Sequence, residues 1–151
     1  MKIAILSDIH GNSHALEAVL RHARGQGAAQ MVINLGDSIG YGPNPEGVVH
    51  RISGNGFINI LGDYDQKALS KQRRQEHWQS VKSADKRAMF AWTYDALTKR
   101  SRNFLKNLPE QRTLQLEKLQ IFMSHGSPES ISEHLGPETP EARLQELASG
   151  S

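Results

Sequence analysis

Ser7-Asp8-Ile9-His10-Gly11-Asn12 is the segment from which the rest of the chain becomes readable. It follows the apolar run Ile3-Ala4-Ile5-Leu6 and precedes a segment of helical periodicity, so it stands where a strand hands over to a helix. Residues two apart on an extended chain face the same side. Asp8 and His10 would then aim a carboxylate and an imidazole together, a donor pair suited to Zn, Mn or Fe. A strand-ending turn with an Asp cap and an incidental histidine fits the six residues about as well. The sequence on either side has to separate the two readings.

Residues 2–7 read as a strand covered on both faces, because Ile, Ala, Ile and Leu follow one another without a polar break. Ser13 to about Gly25 reads as a helix with Leu16, Val19, Leu20 and Ala23 on one stripe, stopped by Gly25 and Gly27. Met31 to Leu35 is a second strand ending at Gly36-Asp37, which completes a parallel crossover unit. Gly40-Tyr41-Gly42-Pro43-Asn44-Pro45 is a loop, and a short helix follows with Val48, Val49 and Ile52 inward. Phe57 to Leu61 is a third strand, ending at Gly62-Asp63-Tyr64-Asp65.

Residues 66–108 read as mostly helical. Ala84 to Arg100 carries a broad apolar face of Ala88, Phe90, Ala91, Trp92, Tyr94 and Leu97, continued by Phe104, Leu105 and Leu108. Thr113 to Glu117 alternates, with Leu114 and Leu116 on one side. Ile121-Phe122-Met123 is a buried strand ending at Ser124-His125-Gly126-Ser127-Pro128. Glu138 to Leu147 closes the chain as a weak helix with a stripe of Ala142, Leu144 and Leu147.

The chain has 151 residues, which suits one domain over residues 1–151, and it is 37% hydrophobic and 23% charged, an ordinary globular composition. No apolar run approaches the ~18 residues of a membrane helix, and the first strand leaves no room for a signal peptide, so cytoplasm is the expected compartment. There is no cysteine, which excludes disulfides and thiolate metal sites. A net charge of +2 is too small to imply a nucleic-acid partner.

Polar residues cluster at the strand ends: Asp8 and His10, then Asp37, then Asp63 and Asp65, then His125. In open parallel sheets sites gather at the carboxyl ends of strands, and neighbouring strands are ~4.8 Å apart, so these groups can converge. Several carboxylates and two imidazoles in one pocket repel and desolvate badly without cations. A pair of divalent metals ~3.5–4 Å apart relieves both problems, and it suits hydrolysis at phosphorus.

Asp8-Ile9-His10-Gly11-Asn12, Gly36-Asp37, Gly62-Asp63-Tyr64-Asp65 and His125-Gly126 resemble, in order and context, the motifs of the calcineurin-like metallophosphoesterases. The resemblance is closest to the small YfcE-like phosphodiesterase branch and runs from residue 2 to about residue 147. It implies an α/β sandwich of layered sheets flanked by helices, here incomplete at its C-terminal edge. It also implies two divalent ions (Mn, Fe, Ni or Zn) and hydrolysis of phosphomonoesters or phosphodiesters by a metal-bound hydroxide. Asp8 and His10 would hold one metal, Asp37 would bridge, and Asp63 and His125 would hold the other. Asn12 would touch phosphate or water, Tyr64 would stand by the leaving group, and Asp65 would orient a neighbouring ligand or catalytic group. The substrate would be a small phosphate ester or a nucleotide.

The chain departs from the family at three points. Asp63 stands where Asn is usual, Tyr64 where many members have His, and no Gly-His-x-His motif follows His125. The last departure suggests a truncated chain with three protein ligands per metal and apolar surface exposed for self-association or partner binding. The competing expectation is a catalytically impaired member that serves as a metal-binding or interaction scaffold.

His14, His22, His50, His77 and His134 match no motif and read as surface or structural. Lys71-Gln72-Arg73-Arg74 reads as a solvated helix face rather than a nucleotide contact, and Trp78 and Trp92 as packing residues. Tyr41 and Asn44 sit on a loop beside Asp37, where pocket-lining residues are found, and the sequence leaves that role open.

Overall fold

The computed structural model describes residues 2–28, 30–54, 56–70 and 83–150. Ala4–Leu6 (β1), Val32–Asn34 (β2) and Phe57–Asn59 (β3) form a parallel sheet in the order β1-β2-β3. The register aligns Ile5 with Ile33 and Ile33 with Ile58, and Leu6 with Asn34 and Asn34 with Asn59. All three carboxyl ends therefore point to one rim.

One face of this sheet is covered by α1 (Ser13–Gly25) and α2 (Pro45–Ile52). Asn12 caps α1 by accepting the Ala15 amide on its Oδ1 at 3.0 Å. Leu16 and Leu20, one turn apart, pack with Val32, Val48 and Ile52. Each such leucine contributes about 1.5–3 kcal/mol by leaving water. Val19 is not part of this stripe; it is 44% exposed.

The opposite face is covered by an antiparallel hairpin of β4 (Gln111–Leu116) and β5 (Leu119–Ser124). Leu114, Ile121 and Met123 pack on Ile33, Ile58 and Ile60. The result is the expected layered α/β sandwich. The expectation that β1 is covered on both faces fails. Ile5 lies in the same row as Ile33 and Ile58, yet it is 59% exposed while Ile33 is 1% exposed. The hairpin packs against β2 and β3 and leaves β1, an edge strand, bare on that face.

A third cluster joins Ile39, Val49, Ala68, Phe90, Leu97 and Leu105, and brings in α3 (Asp63–Leu69), α4 (Ala84–Asp95) and α5 (Lys99–Lys106). The apolar run from Ala84 to Arg100, read as helical, is divided between α4 and α5 because Thr98 caps α5. Its Oγ1 accepts the Ser101 amide, and Glu46 of α2 accepts from the Thr98 amide, the Thr98 hydroxyl and the Ser101 hydroxyl. Only Phe90 and Thr93 of α4 are buried, so Trp92, at 48% exposure, is not the packing residue expected. α6 (Glu141–Ser149) buries Leu147 alone, and Leu144 is exposed. Arg143 instead ties this helix to Glu129 and Glu133. Trp78, His77 and the Lys71-to-Arg74 patch lie outside the described residues. Among the described residues no helix is long and apolar enough to cross a membrane.

Candidate metal centre

Two donor groups sit at the carboxyl rim and share one residue. Asp8, His10 and Asp37 form the first; Asp37, Asp63 and His125 form the second. Within each, one ligand atom per residue lies within 4.8 Å of the others. His10 Nε2 is 3.6 Å from Asp8 Oδ1 and 3.7 Å from Asp37 Oδ2, and His125 Nε2 is 3.5 Å from Asp37 Oδ1. The rim thus gathers all five residues expected as ligands.

The way they converge differs from the expectation. β1 ends at Leu6, and Asp8 and His10 are not extended: their φ values are +56° and +47°, and that of Asp37 is +52°. The left-handed region costs an L-residue roughly 1–2 kcal/mol, somewhat less for Asp. Backbone bonds hold it in place: Asp8 N donates to Gly36 O at 3.2 Å, His10 N to Asp37 O at 2.9 Å, and Gly11 N to Ser38 O at 2.9 Å. Left-handed turns, not strand alternation, aim this pair. The second group is closed by backbone contact. A Cβ on Gly36 would come within 2.6 Å of Gly62 Cα, so only glycines let the ends of β2 and β3 approach closely enough for Asp37 and Asp63 to face one cavity. Asp63, Tyr64 and Asp65 belong to the first turn of α3 rather than to the end of β3.

Both histidines are oriented from behind. His10 Nδ1 faces the Ile39 carbonyl at 3.2 Å, and His125 Nδ1 the Leu35 carbonyl at 2.8 Å. A carbonyl only accepts, so each Nδ1 carries the proton, and each Nε2 is turned toward the carboxylates with its lone pair available to a cation placed between them. Burial pushes the Asp37 carboxyl above its ordinary value and Asp63 adds to this, while the Tyr64 amide bond and the two histidines pull it back. Imidazole nitrogen plus carboxylate oxygen is a donor set that fits a divalent ion.

Asp65 is fully buried. Its Oδ1 accepts the Ile39 amide at 2.9 Å and its Oδ2 the Gly62 amide at 3.1 Å. Ile39 in turn offers its carbonyl to His10, so Asp65 braces the first group through that loop and the second through Gly62. Burial pushes its carboxyl up to about 7 against the pull of those amides. The Tyr64 hydroxyl is 2.6 Å from that of Tyr41, and His10 meets both rings edge-on at 5.1 and 5.2 Å. Burial, then the Tyr41 hydrogen bond, raises the Tyr64 phenol above its ordinary value, so it is protonated at neutral pH. Asn44 caps α2 by accepting the Gly47 amide.

A cavity of about 510 Å³ opens over the rim, lined by Asp8, Asp37, Asp63, Tyr64 and His125 and, from another loop, by His134. His134, read from sequence as surface or structural, is exposed but borders this space. His14, His22 and His50 are exposed and line no part of it. Asn12 is spent on capping α1 and lines a smaller groove on the α1 side. Sequence reading also missed Lys67, whose ammonium pairs with Asp63 Oδ2. Its i+4 spacing from Asp63 was the available signal. His134 had none, because tertiary packing alone brings its loop to the rim.

Among known proteins, an uncharacterized Methanocaldococcus jannaschii protein, MJ0912, is 31% identical over 140 residues, covering 90% of this chain and 54% of its own length. The crystal structure of a metallophosphoesterase from Sphaerobacter thermophilus matches with a TM-score of 0.63 at 28% identity, over 86% of this chain and 48% of that one. A hypothetical protein, PH1004, from Pyrococcus horikoshii matches in fold with a TM-score of 0.83 at 22% identity, over 98% of this chain and 64% of that one. This chain thus spans about half to two thirds of the length of these relatives. The calcineurin-like phosphoesterase superfamily domain matches residues 1–150. Matched over nearly its whole length, this chain belongs to the calcineurin-like phosphoesterase superfamily.

Proposed function

We propose that the chain is a dinuclear metal-dependent phosphoesterase acting on a small phosphomonoester or phosphodiester, a nucleotide among the candidates. The observation that carries this is Asp37, a largely buried carboxylate shared by two three-residue donor groups, with one oxygen facing each histidine. Asp8, His10 and Asp37 would hold one divalent ion, and Asp37, Asp63 and His125 the other. Such ions supply positive charge for the phosphoryl oxygens and make a water acidic enough to attack near neutral pH.

The other residues act through ordinary contacts. Tyr64 holds its phenolic proton and can donate it in a hydrogen bond to an ester oxygen once Tyr41 takes the donor role in the bond between the two hydroxyls. Asp65 is a positioning residue for His10 and Gly62. Asn12 serves the site by starting α1 directly after the Asp8–His10 turn, and a contact with phosphate or water would come from its amide nitrogen, since its oxygen caps the helix.

The test pairs elemental analysis of the purified chain with hydrolysis of bis-p-nitrophenyl phosphate, with and without Mn. Close to two metals per chain and Mn-stimulated turnover are expected, and Asp37→Asn should lower turnover by about 10³-fold. Undiminished turnover in Asp37→Asn sinks the proposal. Absence of metal and of turnover would favour the scaffold reading, which the open face of β1 at Ile5 supports.

A further inference from the structure

The two donor groups differ in one respect that the family resemblance does not contain. Among the described residues, Asp8 and Asp37 face imidazoles, whereas Asp63 is paired with the Lys67 ammonium. Asp63 opens α3 and Lys67 lies one turn later on the same helix, with the acid N-terminal to the base, the favourable orientation. Neither side chain is free in solvent: that of Lys67 is 24% exposed and that of Asp63 15%. The ammonium also sits 4.9 Å from the centroid of the Tyr64 ring, a cation–π contact that holds it beside the carboxylate.

We propose that Lys67 is a built-in counter-ion that competes with a divalent cation for Asp63 and makes the two metal positions unequal. The Asp8–His10–Asp37 position fills first. The Asp37–Asp63–His125 position fills only as the ammonium gives up Asp63. Two effects act together. Lys67 occupies lone pairs of Asp63 that a cation would use, and its charge repels a second cation at short range in a partly desolvated site. The inference takes its ligand sets from the proposed phosphoesterase reading, but it concerns binding and is read without turnover.

Calorimetric titration of the full chain with MnCl2 tests it. The parent should show two steps of unequal affinity, and His125→Ala should delete the weaker one. Lys67→Met keeps the aliphatic stem on α3 and removes the charge. It should tighten the weaker step by about tenfold and leave the stronger step where it was. Lys67→Arg should behave as the parent does, and circular dichroism of each variant checks the fold. Equal steps in the parent, or a weaker step that Lys67→Met does not move, overturn the inference, as does failure of both proteins to bind Mn. Hydrolysis of bis-p-nitrophenyl phosphate separates this from the enzymatic reading. Turnover with unmoved binding steps discards Lys67 and keeps the phosphoesterase. Tightened binding without turnover does the reverse.

Discussion

The two halves of the metal centre share Asp37 and are built in opposite ways. Asp8 and His10 come off β1, an edge strand with a bare face, and are aimed by left-handed backbone that a few amide bonds hold in place. Asp63 and His125 come off the first turn of α3 and the end of β5, where the chain adopts favourable conformations and the hairpin covers the sheet. Apart from the shared Asp37, the first pair rests on left-handed backbone and the second on a helix start and a strand end. The contrast shows that a symmetric-looking ligand set can rest on unlike supports, and that substitutions should separate them.

The largest expected effect breaks the contrast, because one residue supports both halves. Asp65→Ala leaves the buried amides of Ile39 and Gly62 without their acceptor. We expect a loss of about 2–4 kcal/mol in urea unfolding, with Mn affinity reduced at both positions. A loss under ~0.5 kcal/mol would mean that the loop and α3 find other partners and that Asp65 braces neither half.

A smaller effect follows from the proton balance. Burial holds Asp65 at about 7 in the folded chain against an ordinary value of 3.8, and moves Asp37 in the same direction. Between these values the folded state binds more protons than the unfolded one, so stability is present at the acid end and falls as pH rises from about 4 to about 7. Metal-free protein should therefore unfold at lower urea near pH 7.5 than near pH 5. Saturating Mn should reverse the slope, since cations at the rim favour both ionised carboxylates and bind only the folded state. The same slope with and without Mn would place the titrating groups elsewhere.

Much of this was legible beforehand. Periodicity located β1, α1, β2, α2 and β3 to within a few residues, and the polar strand ends marked the residues that meet at the rim. What was hidden depended on distant partners or on backbone signs that leave no mark in composition. The exposure of Ile5 is decided by a hairpin over a hundred residues later that stops short of β1. The break at Thr98 requires Glu46 from another helix. Asp and His tolerate a positive φ better than most residues, but the residue type alone does not say that Asp8 and His10 adopt it. The two-residue spacing anticipated that Asp8 and His10 lie together but by the wrong geometry, because neighbouring left-handed turns and an extended strand can both place side chains i and i+2 together.

That point gives the finest separation of the two halves. Asp8 has φ +56° and a side chain 59% exposed that faces the His10 imidazole at 3.6 Å. Glycine adopts this backbone without strain, but it also frees the unfolded chain, so the two effects nearly cancel. Asp8→Gly should shift metal-free stability by less than ~1 kcal/mol, in the stabilising direction, because the relief of left-handed strain is the larger of the two here. Asp63→Gly gains no relief of left-handed strain at the first residue of α3, and it removes the partner of Lys67 and an acid from the helix N-terminus, so it should destabilise. In Mn titrations the first variant should weaken the stronger step and the second should remove the weaker one. Destabilisation of equal size by both would mean that Asp8 carries no strain, and that the amide bonds to Gly36 and Asp37 make its left-handed turn the relaxed state.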